Sequence, residues 1–264
     1  MRLFSSMIDI LLSIFGSLLA TGIISLFSFL VLRTKFNRCY KKAKFHLKRS
    51  HALEKARQYD DAFREIEKSI VILEENQNHK LLLEAYVHIG DIACKLKNWD
   101  SSIRYYTLCK ESASNLKHSI DPDVLYFKLG IAFIGADLMD DAFICIDQAR
   151  VIQEKINNHP LLAQTYSRLG EIEWNRGHLE IAIEHFLRAI NCQEIIRDRR
   201  SQAATRTSIG DIYMEKNNIQ ESIQHYRIAI DLFQDAGDYS ISKLLASKVN
   251  DLLASGNETN KVTL

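Results

Sequence analysis

Apolar and small residues return along this chain at a fixed interval of 40. Gly90, Gly130, Gly170 and Gly210 each follow a bulky aliphatic residue: Ile89, Leu129, Leu169 and Ile209. Twelve positions beyond each Gly stands a small residue (Ser102, Ala142, Ala182, Ser222). Four further comes a bulky one (Tyr106, Ile146, Phe186, Tyr226), and three beyond that another small one (Cys109, Ala149, Ala189, Ala229). Spacings of three and four put such residues on one helical face. Glycine inside a helix costs roughly 1 kcal/mol relative to alanine, so its periodic return asks for a packing reason. Two closely crossing helices supply one: Gly on the first and the small residues on the second let the backbones approach, and the bulky residues fill between. The two apolar faces are separated by "KLKNWD", "GADLMD", "NRGHLE" and "KNNIQE", whose Asn, Asp and Gly suit helix ends. Each unit therefore reads as a helical hairpin.

Residues 10 to 32, "ILLSIFGSLLATGIISLFSFLVL", break this pattern with 23 consecutive uncharged residues. At helical rise that length crosses a hydrocarbon layer with some tilt, and the sequence predicts an uncleaved transmembrane helix. Residues 33 to 49 then hold eight Lys or Arg and no acid. The basic flank predicts a short amino terminus outside and everything after residue 33 on the cytoplasmic side. Arg33, Lys35, Arg38, Lys41, Lys42 and Lys44 are candidates for contact with anionic lipid headgroups of the bilayer. Small residues at Ser13, Gly16, Ser17, Ala20 and Thr21 would permit homodimerisation through the span.

Composition changes the picture little and chemistry less. Residues 50 to 264 carry 25 basic and 32 acidic side chains, so the bulk is mildly acidic and nucleic acid is excluded as a partner. Five cysteines at 39, 94, 109, 145 and 192 show neither a disulfide framework nor a zinc spacing. No metalloprotease, dinucleotide, P-loop, nucleophile-elbow or kinase motif is present, and the nine histidines are scattered. The expectation is a nonenzymatic protein with no catalytic residue, metal or cofactor. His185 and His225 are repeat-equivalent and read as a surface or packing position. "NET" at Asn257 matches a glycosylation acceptor that the expected topology would leave unused.

The Leu-Gly or Ile-Gly pairs, the Tyr86, Tyr126 and Tyr166 three residues before their aliphatic, and the small-x3-bulky steps resemble the tetratricopeptide repeat family, although Arg206 departs at the aromatic position. The usual period of that family is 34; this chain looks like the variety with a period of 40 and longer helices. The resemblance implies an all-α fold: the single transmembrane helix, then a right-handed α-solenoid of five helical hairpins plus a capping helix. The expected boundaries are a tail over 1–9, the span over 10–32, a basic juxtamembrane segment over 33–42 and the solenoid over 43–255. Its units fall near 43–77, 80–117, 122–157, 160–197 and 200–236, with the cap at 239–255 and a polar tail at 256–264. The first unit is divergent, with Ser50, Ala62, Ile66 and Ser69 at the marked positions and Arg49 for the aliphatic. Pro122 and Pro160 sit where first helices begin.

Members of the family hold extended or helical peptides on the concave face lined by first helices. By resemblance the inward positions are Val87, Asp91 and Cys94; Phe127, Ile131 and Ile134; Ser167, Glu171 and Trp174; and Thr207, Asp211 and Met214. Carboxylates at Asp91, Glu171 and Asp211 beside an apolar rank of Cys94, Ile134, Trp174 and Met214 imply a protein or peptide partner with basic and apolar residues. The same side chains would also serve as packing or as a solvated face. The implied function is a membrane-anchored adaptor that recruits partners at the cytoplasmic membrane face. Two alternatives stand beside it: a membrane effector or channel-forming protein with the repeats as sensor, and a noncatalytic subunit of a membrane assembly complex. Glu173 occupies a position where the family has an aromatic or small packing residue.

Overall fold

A computed structural model describes residues 29, 33–76, 78–113 and 120–262, and every regular element among them is an α-helix. The first, α1, runs over 33–55. It is followed by α2 (Tyr59–Glu75), α3 (His79–Lys95), α4 (Trp99–Ala113), α5 (Pro122–Gly135), α6 (Met139–Lys155) and α7 (His159–Asn175). Then come α8 (Leu179–Ile195), α9 (Arg199–Glu215), α10 (Ile219–Asp235) and α11 (Tyr239–Val262). The chain divides into two compact units, Met1–Leu96 and Lys97–Leu264.

The amino-terminal expectation requires correction. Among the described residues no helix is long and apolar enough to cross a membrane. No described helix therefore supplies the expected transmembrane helix, and the single-pass localisation and the pairing through the span that rested on it are without support among the described residues. The stretch 10–32 that carried the expectation lies, apart from Phe29, outside the described residues. Its basic flank belongs to α1, which is unbroken across residues 42 and 43 and exposes Arg33, Lys35, Arg38, Lys41, Lys42 and Lys44. Ala43, Leu47 and Ser50 form the buried stripe of that helix. Lys42 and Lys44 flank that stripe, whereas Arg33, Lys35, Arg38 and Lys41 precede it on a stretch of α1 without a buried residue.

Regular link geometry repeats through the second unit. Helices α6 to α10 are each 17 residues long, and three residues join each to the next. The middle one has positive φ: Asp137 at 62°, Asn157 at 53°, Gly177 at 78°, Arg197 at 58°, Asn217 at 56° and Gly237 at 80°. In every case its N–H donates three residues back, and the next N–H donates five back; Asp137 N to Ile134 O at 3.1 Å and Leu138 N to Phe133 O at 2.9 Å are the pattern. These two bonds are the Schellman closure, which satisfies carbonyls the helix end leaves free. The third link residue also starts the following helix. The Asn158, Asp198 and Asn218 side chains accept from Leu161 N at 3.4 Å, Ser201 N at 3.0 Å and Glu221 N at 3.3 Å. One residue thus closes one helix and caps another.

Within the second unit each helix from α4 to α11 packs on the next. The periodic glycines are the crossing points. A Cβ at Gly130 would lie 2.5 Å from the Ile146 side chain, at Gly170 2.8 Å from the Phe186 ring, and at Gly210 2.5 Å from the Tyr226 ring. The bulky residue four after the small one fills the notch that Gly opens, as the sequence spacing predicts. Successive hairpins are also joined by buried polar pairs: Thr165 Oγ1 donates to Gln153 Oε1 at 2.7 Å between α6 and α7, and Gln193 Nε2 donates to Thr205 Oγ1 at 2.9 Å between α8 and α9. Each partner is at least nine-tenths buried, so each pair satisfies groups that would otherwise be costly.

In the first unit α1, α2 and α3 use a different device. Ser50 stands where the repeat has Gly, and its buried hydroxyl donates to Ala62 O at 2.9 Å. Ser69 answers from α2, donating to Ala43 O at 3.0 Å. Glu65, 4% exposed, accepts from Lys68 at 2.7 Å and lies 2.8 Å from His46 Nδ1. The divergent hairpin is clasped by polar contacts where the others rely on apolar close approach.

Candidate functional site

All twelve positions assigned to the inner face come out half-buried. That is the exposure expected of first-helix residues that touch a neighbour on one side and open on the other. Within the second unit several of them are taken up by packing. Phe127 and Ile134 pack against the cluster centred on Ile146, Tyr166 and Leu169. Trp174 packs against Phe186, Ile209 and Ile212, while its Nε1 donates to Glu215 Oε1 on α9 at 3.0 Å. Met214 packs beside Tyr226 and Phe233. The apolar rank is largely engaged in holding neighbouring hairpins together.

The carboxylates are engaged too. Asp211 accepts from Tyr226 Oη and Lys248 Nζ, both at 2.6 Å, which ties α9 to α10 and to α11. Glu171 accepts from Arg168 at 2.6 Å, and both partners are about two-fifths exposed. Such an exposed pair is worth little on its own and exchanges easily.

Among the described residues of the second unit, two clefts adjoin these positions. The first, about 390 Å³, lies between α7 and α9, with Ser167, Arg168 and Glu171 on one wall and Asp198, Ser201, Ala204 and Ser208 on the other. Its lining is mixed, with small polar side chains on the two walls beside Pro160, Phe186 and Ile196. The second, about 630 Å³, lies between α9 and α11, where Phe233, Ile241, Leu244 and Leu245 make an apolar floor beside Thr207, Lys248 and Asp251. Ala204 lines both, so the clefts meet across one exposed small residue of α9. Of the twelve, Ser167 and Glu171 fall in the first and Thr207 in the second; Ile131 stays half-buried outside both.

In the first unit Val87 and Asp91 line a cavity of about 460 Å³ between α1 and α3, together with Lys44, Lys48, His51 and His88. Beside it His51, Glu54 and His88 bring their side-chain ligand atoms within 4.8 Å of one another. His88 Nδ1 and His51 Nδ1 each lie 3.7 Å from Glu54 Oε2, and the two imidazole rings are 3.9 Å apart between centroids. Lys95 Nζ donates to the other oxygen, Glu54 Oε1. Burial first, and the neighbouring His51 second, push the His88 imidazole down to about 4, against the pull of Glu54 and Asp91. Cys94 is half-buried on the same helix.

These histidines, scattered in sequence, are not scattered in space. The signal that could have found them is a matched pair of i, i+3 steps, His51-x-x-Glu54 on α1 and His88-x-x-Asp91 on α3. His185 and His225, by contrast, are packing residues that stack on Tyr166 and Tyr213 at 6.1 and 5.4 Å.

Residues 203–235, spanning α9 and α10, match the Tetratricopeptide repeat family. No curated protein matches the chain in sequence. The fold is that of solved tetratricopeptide structures. A MamA fragment from Desulfovibrio magneticus RS-1 is 13% identical over 74% of this chain and 96% of its own, with a TM-score of 0.58. YrrB, described as a TPR protein with an unusual peptide-binding site, is 14% identical over 82% and 97%, at 0.56. The apo form of RapI is 15% identical over 83% and 85%, at 0.59.

Proposed function

We propose that this chain, which carries the tetratricopeptide repeat, is a noncatalytic protein-binding scaffold whose second unit holds a partner segment across α7, α9 and α11. The observation that supports the reading is the junction, at Ala204, of an apolar cleft with one that carries Glu171 and Asp198 on its walls. An extended segment crossing Ala204 would set apolar side chains against Phe233, Leu244 and Leu245 and a basic side chain beside Glu171 and Asp198. Basic recognition requires only that the incoming cation displace Arg168 from Glu171, an exchange of one exposed ion pair for another. The peptide-binding site named for YrrB is consistent with such use of the fold, although the two chains are too distant for residues to be transferred.

The test uses the full chain with a photoreactive side chain at Ser208, on a wall of the cleft that carries Glu171. Crosslinked segments identified by mass spectrometry should place Lys or Arg next to apolar residues. Ala204→Trp, which fills the junction, and Glu171→Lys, which reverses the charge, should each abolish them while circular dichroism stays unchanged. Crosslinks that persist in both variants would remove the clefts from the binding surface.

A further inference from the structure

We infer that His51, Glu54 and His88 form a binding site for a divalent transition-metal ion of the zinc type, on the first unit and independent of the peptide clefts. The inference rests on how the protons are distributed around His88. The Ser50 hydroxyl spends its proton on Ala62 O at 2.9 Å. Its oxygen, 3.2 Å from His88 Nε2, is therefore the acceptor of an Nε2–H bond. In the neutral ring that leaves Nδ1 with a lone pair and no proton. This lone pair faces Glu54 Oε2 at 3.7 Å, too far for a hydrogen bond and between two acceptors. His51 Nδ1 approaches the same oxygen at 3.7 Å from the other side. Three ligand atoms thus converge where a cation would meet the His88 lone pair and the Glu54 carboxylate together.

The spacing fits zinc. Metal–ligand bonds of roughly 2.0–2.1 Å put tetrahedral nitrogen and oxygen ligands about 3.4 Å apart. Two edges of the triangle need to close by a few tenths of an ångström; the His51–His88 edge, within 4.8 Å, needs more. His51 supplies that movement, since its side chain is 56% exposed and swings about its own torsions. The two fixed ligands are held from behind: Ser50 sets the His88 tautomer, and Lys95 holds Glu54 Oε1 so that Oε2 points at the imidazoles. Hydrogen-bonded backing of this kind orients metal ligands and raises their affinity. Two His and one carboxylate leave a fourth position, which the cavity lined by Asp91, Lys44 and Lys48 leaves accessible. The Lys95 ammonium opposes the ion, but it is paired to Glu54 Oε1 and its side chain is 45% exposed, so solvent screens the repulsion.

Full-length protein stripped with a chelator is titrated with Co2+ as a spectroscopic probe, then with Zn2+ in competition. The expected result is one ion per chain, with the visible absorption of a four-coordinate nitrogen–oxygen site that Zn2+ abolishes. His51→Ala, at an exposed position, and Glu54→Gln should each weaken binding at least about tenfold, and Ser50→Ala, which frees the tautomer, about tenfold. Absence of saturable binding at one equivalent overturns the inference. So does an affinity unchanged in both H51A and E54Q, or a sulfur charge-transfer band that puts the ion on cysteine.

Discussion

Glu173 Oε2 lies 2.6 Å from His178 Nδ1, across the turn that joins α7 to α8. The other carboxylate oxygen accepts from Arg176 at 2.8 Å, and Arg176 reaches on to Asp140 at 2.5 Å and stands 4.8 Å over the Phe143 ring. Glu173 is 4% exposed. In the fold Glu173, Arg176 and His178 are a clasp that locks one hairpin's turn and ties it to the preceding second helix.

Removing the centre of that clasp leaves a guanidinium without its buried partner. Glu173→Ala should lower stability by about 3 kcal/mol, read as a lower urea midpoint by circular dichroism. An unchanged midpoint would mean that the clasp is ornamental. Asp140→Ala, which removes only the exposed end, should cost less than about 1 kcal/mol.

The glycine notch predicts a change of sign. Gly170→Ala adds a methyl 2.8 Å from Phe186, and overpacking of this kind costs about 1–3 kcal/mol, more than the helix gains from alanine. With Phe186→Leu already in place the same methyl has room and should stabilise. A double-mutant cycle in urea measures both, and additive effects would disprove the notch.

Backbone strain is separable from packing at the links. Gly237 has φ of 80° and no atom near an added Cβ, so Gly237→Ala should cost about 1 kcal/mol through the backbone alone. Arg197, exposed and at φ 58°, should show the converse, with Arg197→Gly gaining several tenths of a kcal/mol. Thermal midpoints of the two variants should move in opposite directions.

Acid should loosen the first unit. The hydrogen bond from Lys68, then that from His46, hold the Glu65 carboxyl down to about 2, against an ordinary value of 4.5. Between those values the unfolded chain takes up a proton that the folded chain refuses. Glu65 therefore contributes stability that is full above about pH 5 and is lost as pH falls toward 2. Glu65→Gln should lose about 2 kcal/mol at neutral pH and flatten the acid limb of the urea midpoint profile. An acid limb that keeps its slope in the variant would assign it elsewhere.

What could be read from sequence is what repeats. Gly130, Gly170 and Gly210 mark the crossings, and Ile146, Phe186 and Tyr226 fill them, because a packing rule used at every step writes itself into the period. The positions three before, one after and four after each Gly come out half-buried for the same reason. Which of them remain available was not legible, because it depends on partners elsewhere in the chain: Lys248 on α11 takes Asp211, and Glu215 takes Trp174. His51, Glu54 and His88 were missed because their meeting is tertiary. The apolar run over 10–32 was read by composition alone, and no described helix carries that reading.

The three-residue links, in which one residue ends a helix and begins the next, bear on how such a chain can change length. Adding a single residue to one link turns the following helix by about 100° about its axis, and its apolar face then misses the preceding notch. Loss of a residue does the same in the other direction. Gain of a whole hairpin leaves every later contact in phase. Across these links, then, a change of length that keeps the packing comes in complete hairpins, and the three-residue turns, usually the most permissive part of a protein, tolerate neither gain nor loss of a single residue.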